Sequence, residues 1–176
     1  MKPVVILSLI VLFSCKSGKN ISTSEQTELS NEVAEMVESL IKTDYIGTEN
    51  LGRSSQVSPA YIDRENLLST AREKELLALI DHPEGEVAAT AFEGLVRKEY
   101  PNLTEQLFKL GDENRKLNYI KGDVLIVMSA LEYAYVVVLG NDMHENPVKS
   151  ARVKIGLTSA EKSSVEKKII SIRQSD

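Results

Sequence analysis

A single cysteine, Cys15, limits how this chain can be stabilised. One cysteine has no partner, so no disulfide can form within the chain. Stability must therefore come from a hydrophobic core. The 176 residues are enough to bury such a core and fit one domain by the usual relation of length to domain number.

The residues before Cys15 have the pattern of a secretory signal. Lys2 supplies a positive charge, and residues 4–13 are dominated by apolar side chains. This apolar run is too short to span a bilayer, which takes about 20 residues. We therefore expect residues 1–14 to be a signal peptide, whose removal leaves 162 residues.

The site of this cysteine resembles the lipobox of bacterial lipoproteins. Leu12 stands three positions before Cys15, and the small residue Ser14 directly before it. The resemblance implies that the Cys15 thiol takes a diacylglycerol, that the leader is cut before it, and that the new amino group is acylated. The alternative is an ordinary secretion signal with an incidental cysteine. Lys16 is not the acidic residue that retains such proteins at the inner membrane, so we expect a lipid anchor in the outer membrane facing the periplasm.

Residues 15–26 are predicted to form a lipidated, flexible tether. They are polar and rich in Ser, Thr, Lys and Gly. As a coil they would hold the following domain about 20 Å from the membrane. Residues 27–176 would then be a single helical domain.

The charge of the chain excludes some partners. The whole chain has a net charge of −5, and without Lys2 it keeps 20 basic against 26 acidic residues. Nucleic acid requires a concentrated basic face, so we expect no nucleic-acid partner. The absence of Trp disfavours a platform on which sugars stack.

Apolar periodicity predicts a mainly α fold, a small irregular helical bundle. The predicted helices are residues 27–42, 59–68, 71–80, 85–98, 103–110, 129–139 and 158–173. Thr70 with Glu73, and Thr158 with Glu161, are predicted capping boxes at two of the helix starts. Residues 45–58 are interpreted as a loop. A turn around Gly122 predicts a minor β-hairpin over residues 119–128.

One stretch, from Leu76 to Asn102, is similar to a HEAT-type helical hairpin. An acidic residue and a proline, Asp81 and Pro83, mark its turn, and Val87, Ala91 and Leu95 follow at the spacing of the second helix. The chain also resembles a group of uncharacterised bacterial lipoproteins built around this turn. The resemblance implies a small bundle with one regular repeat, with residues 103–110 and 129–139 as an irregular second pair. It implies no catalytic residues.

The sequence contains no recognisable catalytic or metal motif. His82 is interpreted as a residue of the helix-ending turn, and His144 has no convergent third ligand. Two S-x-x-K patterns, at 39–42 and 159–162, lie on helices or caps, where chance explains them. We therefore predict no catalytic residue, no cofactor and no metal, and Cys15 as the modified residue.

These observations favour a lipid-anchored periplasmic protein-interaction module without catalytic activity. A second hypothesis is a protective or inhibitory lipoprotein that binds a basic effector enzyme, because the chain is acidic. A third is a cryptic hydrolase, which would need His82 or His144 in a deep pocket with two carboxylates.

Overall fold

The computed structural model describes residues 28–50, 57–140 and 156–175. Within these ranges the protein is mainly helical with one small three-stranded sheet, so the predicted fold class is confirmed. The elements in chain order are α1 (Asn31–Thr43), β1 (Ile46–Gly47), α2 (Pro59–Thr70), α3 (Glu73–Leu79), α4 (Gly85–Arg97), α5 (Leu103–Lys109), β2 (Lys116–Lys121), β3 (Val124–Ser129), α6 (Ala130–Glu132), a π-helix (Tyr133–Val138) that continues α6, and α7 (Ser159–Gln174). The predicted signal peptide and tether lie outside the described residues. None of the described helices is long and apolar enough to cross a membrane.

Helix α4 lies at the centre of the molecule. Eleven of its thirteen residues are buried, and it contacts α1, α2, α3, α5, β2, α6 and the π-helix. Small residues allow these neighbours to approach closely. A Cβ on Gly85 would lie 2.2 Å from the Lys116 carbonyl oxygen, and one on Gly94 would lie 2.9 Å from the Leu76 side chain. Alanine and glycine in α4 therefore bring the neighbouring backbones close to its axis.

The starts of the helices show where the sequence predictions were right and wrong. The capping box of Thr158 and Glu161 is present at the start of α7. The box predicted for Thr70 and Glu73 is wrong, because Thr70 is the last residue of α2 and α3 begins after Arg72. Asn102 precedes α5 without a side-chain capping bond. Helix α1 begins at residue 31 rather than 27.

Glu75 replaces the wrongly predicted capping group. Its side chain is 1% exposed and accepts hydrogen bonds from the backbone N–H groups of Arg72 (2.9 Å) and Ser30 (2.9 Å). The Arg72 guanidinium donates to both carboxylate oxygens, at 3.0 and 3.2 Å. One buried carboxylate thus joins the start of α3 to the residue before α1.

The sheet contains the predicted hairpin and one strand that was not predicted. β2 and β3 are antiparallel, with Tyr119 opposite Ile126, and Gly122 lies in the turn with a φ of 61° that favours glycine. The hairpin is longer than the predicted 119–128. β1 pairs with β2 in parallel, so the interpretation of residues 45–58 as a loop was wrong for Ile46 and Gly47.

The core helix predicted for residues 129–139 is present, but most of it is a π-helix. The Ser129 side chain caps its start by accepting from the Glu132 N–H at 3.1 Å. The Leu139 N–H donates to the Ala134 carbonyl, five residues earlier, at 3.0 Å. This spacing is that of a π-helix. The helix ends before Gly140, which has a φ of 64°.

Helices α3 and α4 pack against each other, as the HEAT-type resemblance implies for residues 76–102. The turn between them holds His82, whose Nδ1 accepts from the Glu84 N–H at 3.2 Å. This bond confirms the interpretation of His82 as a turn residue. The membership in a HEAT-type family stays a prediction.

The contacts of Glu75 predict a loss of stability that depends on pH. The hydrogen bonds from Arg72, followed by that from the Ser30 backbone, outweigh burial and hold the pKa of the Glu75 carboxyl far below its usual value. A carboxyl whose pKa is lowered by folding stabilises the protein above its unfolded pKa of about 4.3, and this stabilisation is lost as the pH falls further. We expect Glu75→Gln to lower the free energy of unfolding by about 2–3 kcal/mol at pH 7 and by clearly less at pH 3, measured by urea denaturation.

The matched control is Glu35→Gln on the exposed side of α1. It should change the free energy of unfolding by less than about 0.5 kcal/mol at both pH values. An equal loss for Glu75→Gln at pH 7 and pH 3 would contradict the argument.

Candidate functional site

A cleft of about 340 Å³ opens beside α4. Its walls come from the residues after β1, from α2, α4 and β2, and from the π-helix. The lining residues are Thr48, Glu49, Tyr61, Arg64, Glu93, Val96, Arg97, Tyr119, Tyr133, Val137 and Val138. The volume lies at the lower end of the range of small-molecule sites, about 300–1,000 Å³. A π-helix in the wall is a frequent feature of functional sites.

Two residues of α4 are not buried, Glu93 and Arg97, and both line the cleft. Residues four positions apart share one face of a helix. The Arg97 guanidinium donates to Glu93 Oε1 at 2.7 Å, and to the two oxygens of Glu65 on α2 at 2.8 Å each. The hydrogen bonds from Arg97 lower the pKa of the Glu65 carboxyl despite its partial burial. The cleft therefore exposes the one polar face of an otherwise buried helix.

Arg64 of α2 adds a second, deeper cation. Its side chain is 11% exposed. Nη1 donates to the Tyr133 hydroxyl at 3.1 Å and lies 3.6 Å from Glu93 Oε2, while Nη2 donates to Glu65 at 3.3 Å. Burial alone would lower the pKa of the guanidinium, but Tyr133 and the two glutamates outweigh it and raise the pKa. Arg64 therefore stays charged inside the protein.

Tyr133, the first residue of the π-helix, connects this cation to the aromatic floor of the cleft. Its hydroxyl accepts from Arg64 and donates to Glu93 Oε2 at 3.4 Å. Its ring meets that of Tyr119 edge to face, with 5.5 Å between centroids. Burial, followed by the negative charge of Glu93, raises the pKa of the Tyr133 phenol. Tyr133 thus serves as a hydrogen-bonding group and not as an acid or base at neutral pH.

Two polar groups in this cleft lack partners among the described residues. Arg64 Nε is buried and makes no hydrogen bond. Glu49 is exposed and takes part in none of the ion pairs that the structure describes. Arg64 Nε is too deeply buried to be reached from the cleft, so the cleft offers to a ligand only the exposed carboxylate of Glu49, while its other charges are paired.

The lining contains no histidine, cysteine or serine. His82 lies in the turn before α4 and does not line the cleft, and His144 lies outside the described residues. Ser39, of the first S-x-x-K pattern, donates to Asp63 at 3.0 Å instead of meeting a base. Among the described residues no group of three or more metal-ligating side chains converges.

A second notable surface is the open edge of β3. Within the described part of the chain β3 pairs with β2 alone. Four consecutive apolar side chains on it are exposed: Val124 58%, Leu125 59%, Ile126 37% and Val127 63%. They alternate between the two faces of the sheet, so both faces are apolar near this edge.

The backbone of β3 can accept another strand. The Ala130 N–H donates to the Arg115 carbonyl at 2.8 Å. Hydrogen-bonded positions alternate along an antiparallel ladder, so Ile126 points its N–H and C=O toward β2. Leu125 and Val127 then point theirs toward the open side.

Sequence reasoning did not find the cleft, and the one predicted site residue, Cys15, lies outside the described residues. The available signal was the pair Glu93 and Arg97, two charges four positions apart in a helix that is mainly apolar. The tyrosines in the apolar stretch after residue 129 gave a second signal, because a buried phenol needs a hydrogen-bond partner.

The role of Tyr133 can be tested by stability. Tyr133→Phe leaves Arg64 Nη1 without its hydroxyl partner in a buried site, so we expect the free energy of unfolding to fall by about 1–3 kcal/mol in urea denaturation. Tyr61→Phe keeps the ring that lies 5.4 Å from the Arg64 guanidinium and should cost less than about 0.5 kcal/mol. Equal effects of the two changes would contradict the described network.

Comparisons of this chain with protein-family models, with curated proteins and with solved structures found no match. The function of the cleft and of the open edge therefore has to be argued from the residues themselves.

Proposed function

We propose that this chain is a lipid-anchored protein of the bacterial cell envelope that binds another polypeptide and catalyses no reaction. Cys15 carries the lipid and holds the protein at the periplasmic face of the outer membrane. The tether of residues 15–26 joins the anchor to the helical domain. The observation that supports polypeptide binding is the open apolar edge of β3.

The composition of β3 favours strand addition. Natural edge strands are usually protected from pairing by lysine, proline or a bulge. β3 has neither lysine nor proline, and its backbone groups at Leu125 and Val127 are directed outward. An extended segment of a partner would gain main-chain hydrogen bonds there and would bury the exposed apolar side chains. Burial of such side chains is favourable by about 25 cal/mol per Å².

We assign this edge to a different protein and not to a second copy of the chain. Without residues 1–14 each copy has 20 basic against 26 acidic residues, so two copies repel one another as they approach. A partner of lower or opposite charge has no such barrier. The partner segment should itself be extended and apolar on consecutive residues, because consecutive side chains of a strand point to opposite faces and both faces of β3 are apolar here.

The anchor predicts a change in location when its cysteine is removed. In a bacterial host that processes lipoproteins, we expect the full chain to fractionate with membranes and to carry three acyl chains by mass spectrometry. Cys15→Ser should lose the lipid mass and leave the membrane fraction. Ser14→Ala keeps a small residue before the cysteine and should behave like the unchanged chain. Membrane retention of unlipidated Cys15→Ser would contradict the anchor.

The edge strand predicts a specific cross-link in cells. A photo-reactive phenylalanine analogue at Val127 should yield a discrete adduct with another envelope protein, identified by mass spectrometry. The same analogue at the exposed Glu38 of α1 is the control and should yield none. Adding Leu125→Lys should abolish the adduct and weaken binding of the purified partner at least tenfold, about 1.4 kcal/mol.

Leu125 is 59% exposed, so Leu125→Lys should leave the unfolding midpoint unchanged. Three results would contradict the proposal: no adduct, an adduct between two copies of the chain, or a cross-link within one copy.

A further inference from the structure

We infer that the partner segment joins β3 as an antiparallel strand and places one large apolar side chain beside Ile126. The inference rests on the proposed strand addition at this edge, and it adds the direction of the partner strand and the position that decides its fit. Three features of the described structure carry it: the number of open backbone groups, the row of side chains that ends at Ile126, and the difference between the two faces of the sheet.

Two residues of β3 offer backbone groups to a new strand. The ladder between β2 and β3 leaves the N–H and C=O groups of Leu125 and Val127 on the open side. The next outward-facing position, Ser129, is buried and caps the start of α6. The ladder begins at Val124, directly after the turn. The edge therefore presents four hydrogen-bonding groups on a short stretch of strand.

An antiparallel partner satisfies these four groups with the fewest residues. In an antiparallel ladder one partner residue exchanges both bonds with Leu125, and the residue two positions before it exchanges both with Val127. The four bonds then need a stretch of three partner residues. In a parallel ladder the bonds are slanted, and the same four groups need a stretch of five. Every ordered residue loses backbone freedom, so the antiparallel direction is favoured.

Ile126 is the exposed end of a row of apolar side chains on the core side of the sheet. Ile46 of β1 pairs with Tyr119 of β2, which in turn pairs with Ile126. Directly paired residues share one face of a sheet. Ile46 and Tyr119 are buried, whereas Ile126 is 37% exposed. A partner side chain opposite Ile126 would extend this row by one position and cover its open end.

The pairing geometry makes this position the closest contact of the added strand. Because Leu125 and Val127 are the hydrogen-bonded positions, Ile126 and the residue opposite it form a non-hydrogen-bonded pair. The Cα atoms of such a pair lie about 4.5 Å apart, against about 5.5 Å in a hydrogen-bonded pair, and their side chains are closer. A large apolar side chain at this position therefore packs directly against Ile126.

The opposite face of the sheet is less buried. Leu125 and Val127 lie on it, both more than half exposed, and pair with Ile120 and Asn118 of β2, which are only partly buried. Partner side chains on this face cover apolar area without extending a buried row. In strand addition the backbone supplies affinity and the sites for alternate side chains supply specificity. The partner residue opposite Ile126 is therefore the one that sets the fit.

The direction is tested with the photo-reactive phenylalanine analogue, placed at Leu125 in one variant of the full chain and at Val127 in another. Mass spectrometry of the adducts formed in cells locates the modified residue of the partner. The residue reached from Leu125 should lie about two positions C-terminal to the one reached from Val127. The reverse order would overturn the inferred direction and leave strand addition standing. The absence of any adduct with another protein would overturn both.

The fit is tested first on the captured partner, so that folding of this chain is not affected. Alanine at the partner residue between the two adduct positions should weaken binding to the purified full chain at least tenfold, about 1.4 kcal/mol. Alanine at either adduct position should weaken it less than threefold. Equal losses at the three positions, or an unchanged affinity at the middle one, would overturn the assignment.

The same fit is tested from the side of β3. Ile126→Ala should weaken binding of the captured partner about tenfold, with folding checked by the unfolding midpoint. Val124→Ala is the matched control, because Val124 lies on the same face but pairs with the exposed Lys121 and not with a buried residue. It should weaken binding less than threefold. A loss for Val124→Ala as large as that for Ile126→Ala would contradict the role of the buried row.

Discussion

Nearly every residue of α4 is buried, and a helix can be buried on all sides only if other elements surround it. The buried side chains of α4 suit close packing on all sides. The alanines at 88, 89 and 91 leave room for neighbouring elements, and the larger Phe92 and Leu95 fill the wider spaces. Helices α1, α2, α3, α5 and α6, the π-helix and strand β2 together provide this enclosure. Most of the described elements are thus arranged around one helix.

The cleft is a consequence of the same arrangement. Glu93 and Arg97 are the two residues of α4 that are not buried, and their charges need polar surroundings. Arg64 and Glu65 of α2, together with the phenol of Tyr133, provide them. Charges that are partly withdrawn from water are stable only as a satisfied set. The charged groups that line the cleft are therefore also part of the network that stabilises the fold, apart from Glu49.

Elements with local signals could be predicted from the sequence, and elements that depend on distant residues could not. The apolar stripe of α4 and the turn at Gly122 are local, and both predictions were confirmed. Glu75 was missed because one of its partners, Ser30, lies 45 positions away. β1 has two residues, too few for an alternating pattern. Arg64 resembles any solvated arginine of a polar helix, since its partner Tyr133 is 69 positions away.

The contact between Gly85 and the Lys116 carbonyl oxygen limits how this protein can change in evolution. Any side chain at position 85 would displace β2 from the start of α4. β2 contributes Tyr119 to the cleft and is the strand with which β3 pairs. A shift of β2 would therefore move both the cleft and the open edge of β3. Substitutions in the cleft or on the open edge can therefore change either surface separately. The distance between the two surfaces depends on keeping glycine at position 85.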